Sequence, residues 1–267
     1  MNALVLPAFY LAQREFIRFI RQPHRVVGSL GQPLLFWLFL GTGFSPSFRP
    51  PGMEGISYVE YFYPGVLMML ILFASIFSII TVIEDREHGF LQGVLTAPVP
   101  RMAIVLGKVG GGTSIALFQS LILLLAVPFL DIPITASGLL LVFLAMVLSA
   151  LGYAALSFAI AWTMKSTSGF HAIMMIFLMP LWLLSGALFP VTGAPLWLQV
   201  VMMANPVAHA LTVMRIPFYQ TAAECLSNPD YLTSLSVVTS WVAICLWLGA
   251  KRVAHRDKGL GSVAAAS

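Results

Sequence analysis

Six apolar stretches of about 20 residues each constrain this chain more than any other feature. They cover residues 26–44, 64–83, 109–130, 139–162, 172–189 and 232–249. A bilayer's hydrocarbon core is roughly 30 Å thick and an α-helix rises about 1.5 Å per residue, so about 20 apolar residues cross it. Lipid offers no partners to backbone N–H and C=O groups, and a helix satisfies its own. Composition removes the alternatives: 9% of the 267 residues are charged and 59% are apolar, whereas a soluble domain carries roughly 25% charge. A soluble enzyme, a disordered chain and a disulfide scaffold are thereby excluded. Two cysteines, Cys225 and Cys245, make no framework, and no metal-ligand spacing occurs. The net charge of +4 is spread between apolar runs rather than gathered into a nucleic-acid-binding patch. The start does not read as a cleavable signal peptide, because the first apolar run begins near Val26 without a small-residue cleavage pattern.

A seventh run, 196–218, carries Asn205-Pro206 at its middle and Arg215 and Pro217 near its end. Pro206 lacks an amide hydrogen and disfavours helix at Asn205. Each half spans roughly 15 Å, half a membrane. Charge arbitrates. With six spans and the N-terminus inside, twelve of the 14 basic residues lie on the cytoplasmic side and only Arg49 and Arg215 outside. A seventh crossing leaves nine inside and five outside. The positive-inside rule selects six spans, with both termini cytoplasmic and 196–218 as an outer re-entrant hairpin shielded from lipid.

Ahead of the first span, Arg14, Arg18 and Arg21 share one helical face, with Phe9, Ala12, Phe16, Phe19 and Ile20 opposite. This predicts an amphipathic helix in the cytoplasmic interface, its arginines toward anionic headgroups of membrane lipids. The segment 42–58 is rich in Pro, Gly and Ser and reads as an external loop. The tail from Gly259 is small-residue sequence, expected to be disordered. The expected organisation is therefore all-α: an interfacial helix over 1–25, a six-span membrane domain over 26–250, and a basic then disordered cytoplasmic tail over 251–267.

Between the second and third runs stands Glu84-Asp85-Arg86-Glu87-His88-Gly89, then Phe90-Leu91-Gln92-Gly93-Val94-Leu95-Thr96, then Ala97-Pro98-Val99-Pro100-Arg101. Gly89 can end a helix; Pro98 and Pro100 stop the next. The pattern predicts a short cytoplasmic helix exposing Phe90, Leu91, Val94 and Leu95, and apolar surface rimmed by charge suits a docking partner.

These residues resemble a known family. Asp85-Arg86-Glu87-x-Gly89, Leu95-Thr96-x-Pro98-Val99-x-Arg101 and Leu106-Gly107-Lys108 are similar to the signature of ABC-2 type transporter permeases. Its usual form is E-R-E-x-G-T, L-L-x-T-P-V-x-R and L-x-G-K. A second patch agrees: Ser185-Gly186-x-x-Phe189-Pro190, Pro195-x-Trp197-Leu198, Asn205-Pro206 and Arg215. Asp85 replaces the usual Glu, and Phe90 with Gln92 replaces Thr and Glu. The likeness is to short permeases of the drug-exporter and nodulation-factor-exporter kind.

The resemblance implies a permease subunit of an exporter in the inner (cytoplasmic) membrane. Two permease copies, or this chain with a similar permease, would pair with two ATPase subunits that carry the ATP and Mg; this chain itself would bind no cofactor. Phe90–Thr96 would be the coupling helix, with Asp85, Arg86, Glu87, Gly89, Pro98 and Arg101 around it. Asp85-Arg86-Glu87 would end span two and pair with the ATPase or the amphipathic helix. Pro190, Asn205, Pro206 and Arg215 would form the outer gate, Asn205 bonding the carbonyls that Pro206 exposes and Arg215 reaching headgroups or Glu224.

The residues themselves exclude other chemistry. In Gly107-Lys108-Val109-Gly110-Gly111-Gly112-Thr113-Ser114 the lysine precedes the glycines, whereas a phosphate loop needs G-x-x-x-x-G-K-[ST]. The glycines read as helix-packing positions. Leu184-Ser185-Gly186 lies within an apolar run. His171 and His209 are expected at opposite membrane faces, which argues against shared haem ligation. The absence of an intramembrane Asp/Glu pair argues against a proton-coupled carrier. Sparse polar groups in the spans suit an apolar or amphipathic substrate: drug-like, lipid or glycolipid. The alternative class is a membrane protein not driven by ATP, such as an assembly factor or secondary carrier.

Overall fold

The computed structural model describes residues 2–45, 57–130 and 132–264, and every α-helix or 3-10 turn in it lies among them with no strand. Most of the expected 42–58 loop, with Arg49, and also Asp131, lies outside the described residues. The helices are α1 (Asn2–Ile20), α2 (Pro23–Phe44), α3 (Tyr58–Ser78), α4 (Thr81–Glu87), α5 (Phe90–Thr96), α6 (Arg101–Leu124), α7 (Ala136–Ala161), α8 (Thr167–Leu183), α9 (Leu196–Met203), α10 (Pro206–Arg215), α11 (Ala222–Ser227) and α12 (Pro229–Ala264).

Local chemistry sets the boundaries. Ser57 and Glu60 form a reciprocal capping box at the start of α3. Thr135 and Ser166 cap α7 and α8 by accepting a backbone N–H three residues on. Gly89 adopts φ 78°, which costs a residue without Cβ least, and so separates α4 from α5.

α3 is the axle of the bundle. It packs against α2, α6, α7, α8 and α10, and its side chains from Tyr61 to Leu72 are all buried. Tyr63 donates to the Leu123 carbonyl at 2.8 Å and Trp182 donates to the Gly65 carbonyl at 2.8 Å. Five helical stretches have the length and apolarity to span a bilayer: α2, α3 with α4, α6 with its terminal 3-10 turn, α7 and α12. They differ sharply in burial. The span window of α3–α4 is 78% buried and that of α2 only 11%. α2 is also the least apolar, at a mean hydropathy of 1.3 against 2.8.

The chain is thus a polytopic helical membrane protein, as the apolar runs imply. Three details differ. The fifth run, 172–189, becomes α8, a 17-residue helix that ends at Leu183. The chain then turns through Gly186 at φ 82°, so Leu184-Ser185-Gly186 forms the exit from the helix rather than its interior. Only glycine enters that left-handed region cheaply. Of the expected tail from Gly259, residues 259–264 lie on the end of α12 and 265–267 lie outside the described residues; extension of a helix from a packed span adds one hydrogen bond per residue.

The third difference is in α1. Its apolar residues Val5, Leu6, Phe9, Tyr10, Ile17 and Ile20 point outward, while the opposite face packs along α6. Phe16 and Phe19 belong to the packed side, Phe16 edge-on to Phe118 and Phe19 buried. Gly107 and Gly111 make this possible. A Cβ at Gly107 meets Leu11 Cβ at 2.6 Å, and one at Gly111 meets Glu15 Cβ at 2.7 Å. The small-xxx-small spacing lets the two backbones approach. Gly112 faces Ser78 and Ile79 in the same way, so the glycine cluster is a packing surface.

Candidate functional site

Six charged side chains meet where α1, α4 and α6 converge. Arg14 donates both guanidinium arms to Asp85, at 2.9 and 3.1 Å, and its Nη1 also bonds Glu15 at 2.7 Å. Arg18 bonds Glu84 at 2.6 Å and Asp85 at 3.2 Å. Lys108 donates to Glu15 at 2.8 Å and to Asp85. Glu15, Asp85 and Lys108 are each under 5% exposed, while Arg14, Arg18 and Glu84 are half-buried, so three cations and three carboxylates neutralise one another from a buried centre to a wetted rim. Partial burial disfavours the Arg14 charge, but its bonds to Asp85 and the two neighbouring carboxylates outweigh that and raise its pKa.

The expected partners of the arginines change here. Arg14 and Arg18 face this network, bonding buried Asp85 and half-buried Glu84 on α4. Arg21 alone of the three is exposed. Asp85 pairs with α1, one of the two expected partners. Lys108 and Glu15 were not expected to take part. The available signal was a single lysine at the foot of an apolar run, since a buried ammonium needs carboxylates close by.

The Asp85-Arg86-Glu87 triplet splits three ways. Asp85 enters the network. Arg86 donates to the carbonyls of Trp162 and Met164, both at 2.7 Å, tying α4 to the end of α7. Glu87 is exposed. On α5, Leu91 is 2% exposed and belongs to the core, and Val94 and Leu95 pack against it. The expected display of four apolar side chains therefore reduces to Phe90, whose ring lies 3.7 Å from the Arg14 guanidinium carbon. A seven-residue helix lying on a bundle must turn one face inward. The outward face is Phe90, Gln92, Gly93 and Thr96, followed by exposed Pro98; Arg101, half-buried, opens α6.

At the opposite end, α9 and α10 form a pair bent by 80° at Asn205. The halves are unequal. α10 packs against α12, α7, α3 and α8, whereas α9 touches mainly α10 and the preceding turn. Leu196, Trp197, Val200 and Met203 of α9 stand exposed. Asn205 accepts from the Val207 N–H at 2.9 Å and donates to the Leu181 and Leu184 carbonyls at 2.6 and 3.1 Å. Those carbonyls end α8, so Asn205 joins two helix ends rather than serving the carbonyls freed by Pro206. Arg215 donates to the Gly186 carbonyl at 2.9 Å and lies over the Tyr61 ring at 4.5 Å. Tyr61 also donates to Gly186, at 3.1 Å. Glu224, the expected partner of Arg215, instead closes a capping box with Thr221. Pro190 opens the 3-10 turn that leads toward α9.

His171 stacks on Phe77 at 4.3 Å, and His209 contacts Ser234 and the Met203 carbonyl. The two histidines thus occupy separate environments on α8 and α10.

Residues 8–219 match the family described as ABC-2 type transporter. The chain is 29% identical over 210 residues to the transport permease ycf38 of Cyanophora paradoxa, covering 78% of this chain and 72% of that one. It is 28% identical over 241 residues to ycf38 of Porphyra purpurea, covering 88% and 79%. It is 24% identical over 213 residues to the inner membrane transport permease YadH of Escherichia coli strain K12, covering 79% and 80%.

Proposed function

Because this chain belongs to the ABC-2 type transporter family, as a multi-pass permease subunit, we propose that it exports an apolar or amphipathic substrate with ATP hydrolysed by separate partner subunits. Drug-like molecules, lipids and glycolipids fit spans with so few polar groups. The similarity to an inner membrane permease and the basic residues clustered toward one side support the cytoplasmic membrane, with both termini inside. The observation that carries the proposal is the mounting of α5. Its Phe90 is held by Arg14, its Leu91 is rooted in the core, and the Asp85 network behind it joins α1, α4 and α6. A push on α5 therefore reaches three helices at once. A cleft of about 540 Å³ between Tyr10, Leu11, Phe90, Gly93 and Val94 offers the ATPase a place to seat an apolar side chain. A second permease copy, or a similar permease, completes the pathway, and the hinge at Asn205 gates its outer end.

Affinity purification from membranes after photolabelling with azido-ATP tests this. The wild-type chain is expected to carry a labelled ATPase with it. Phe90→Asp with Gln92→Arg removes that label while inserted permease stays at wild-type level, because both residues are exposed. Undiminished label on the double variant overturns the coupling role of α5.

A further inference from the structure

A cleft of about 920 Å³ lies between α2, α3, α6 and α8. Its lining changes in layers. The end near the α1–α2 junction and the foot of α4 carries Arg18, Arg25, Glu84 and Glu87. The far end is apolar, with Met69, Phe73 and Met175. Between them lies a belt of uncharged hydrogen-bonding groups: Ser29, Gln32, Ser78 and Gln119. This sequence of charge, amide and hydroxyl, then hydrocarbon matches an amphiphile standing along the membrane normal.

The belt fixes its chemistry. Two arginines face two glutamates at the charged end, and Arg18 is already bound to Glu84 at 2.6 Å and Asp85 at 3.2 Å. The Arg25 guanidinium, among the described residues, bonds only the neutral Gln22 amide, at 3.2 Å, so the charged end does not by itself select the headgroup. In the belt, the Gln119 amide orientation is set by its neighbour. Ser29 spends its hydroxyl proton on the Val26 carbonyl at 3.0 Å, so it accepts from Gln119 Nε2 at 2.9 Å. Gln119 Oε1 is then left buried with no donor, in a side chain 1% exposed. A buried acceptor without a partner is costly. A headgroup hydroxyl supplies the missing donor.

We propose that this cleft binds an amphiphile whose headgroup carries hydroxyl groups, its hydroxyls on Gln119 and Gln32 and its chains against Met69, Phe73 and Met175. The proposal narrows the substrate class of the export reading and rests on it.

Native mass spectrometry of the full chain released from lipid nanodiscs tests it with three probes sharing the same acyl chains: monoglucosyl diacylglycerol, phosphatidic acid and diacylglycerol. The glucosyl lipid is expected to be retained at least tenfold over the other two. Gln32→Leu, at an exposed position, and Gln119→Leu lower its retention severalfold and leave diacylglycerol unchanged. Met175→Trp, which fills the apolar end from a 40% exposed position, lowers retention of all three. Equal or better retention of phosphatidic acid overturns the headgroup assignment. Wild-type retention in both glutamine variants, or in Met175→Trp, overturns the cleft. ATPase photolabelling of the same preparations reads the permease role separately, so a chain that carries its ATPase but binds no glucosyl lipid refutes this proposal alone.

Discussion

Lys108 shows what single residues contribute. Its ammonium is 1% exposed and is balanced by Glu15 and Asp85. Removing one partner of a buried pair strands the other, at about 3–5 kcal/mol, whereas removing the charges together costs far less. Lys108→Met is therefore expected to shorten the unfolding half-life in detergent more than the triple change Lys108→Met, Glu15→Gln, Asp85→Asn. Fluorescence-detected unfolding of the purified variants measures the order. Glu224 gives a pH test of the opposite kind, on the surface. The Thr221 N–H and hydroxyl hold its carboxyl below the usual glutamate range. A depressed acid contributes stability above its unfolded pKa and loses it as pH falls through the folded one. Amide exchange of the Thr221 N–H, which donates to the Glu224 carboxylate at 2.7 Å, should, corrected for intrinsic rate, stay protected at about pH 6 and lose protection as pH falls through the depressed carboxyl pKa; Glu224→Ala should remove the pH dependence. These two sites also mark what was legible. The Thr221-to-Glu224 spacing is local and can be read along the chain as a capping box, yet Arg215 was matched to Glu224 instead. The true partner of Arg215, the Gly186 carbonyl, carries no side-chain identity and so left no trace in the sequence.

At the scale of elements, the boundary between α1 and α6 depends on two missing methyl groups. Gly107→Val places carbon where Leu11 Cβ stands 2.6 Å away and should separate the helices. Disulfide trapping between cysteines at Ala12 and Gly110, where a Cβ at Gly110 would lie 3.7 Å from the Ala12 Cβ, is expected to fall severalfold in that background. Gly28→Val, where nothing stands within 4 Å, should leave it unchanged. On α5, Leu91→Asp and Phe90→Asp should diverge. The first buries an unpaired carboxylate in the core and lowers the amount of folded protein; the second spares folding and affects only partner binding, as size-exclusion recovery will show. The existence of these elements was readable because period and apolar length are properties of the chain itself. Which face turned inward was not. A helix such as α1 has arginines on one side and aromatics on the other whether it lies on lipid or on α6, and only the carboxylates of α4 and the glycines of α6 decide. The packing glycines were nevertheless visible as a cluster whose spacing fits no phosphate loop.

The whole molecule is organised around α3, and its arrangement in the membrane is testable as one unit. A cysteine introduced at Ser267 should react with an impermeant maleimide only after the membrane is opened from the cytoplasmic side, and one at Gln199 should react from outside. Labelling of both from the same side of intact cells contradicts the six-span arrangement. The contrast between the deeply buried α3 and the thinly covered α2 also bears on how the protein is made. Of the five candidate spans, α2 leaves the ribosome before the others, and it has the lowest mean hydropathy, 1.3. At that moment neither α3 nor α6 has been synthesised, and Gln119, the side-chain partner of Ser29, does not yet exist. α2 must then wait at the translocon until α3, at 2.8, arrives as the strong hydrophobic anchor and draws both into lipid as a hairpin. The helix that later becomes the centre of the fold is thus the one on which the first commitment to the bilayer depends. A premature stop ahead of residue 58 should yield a nascent chain that fails to integrate.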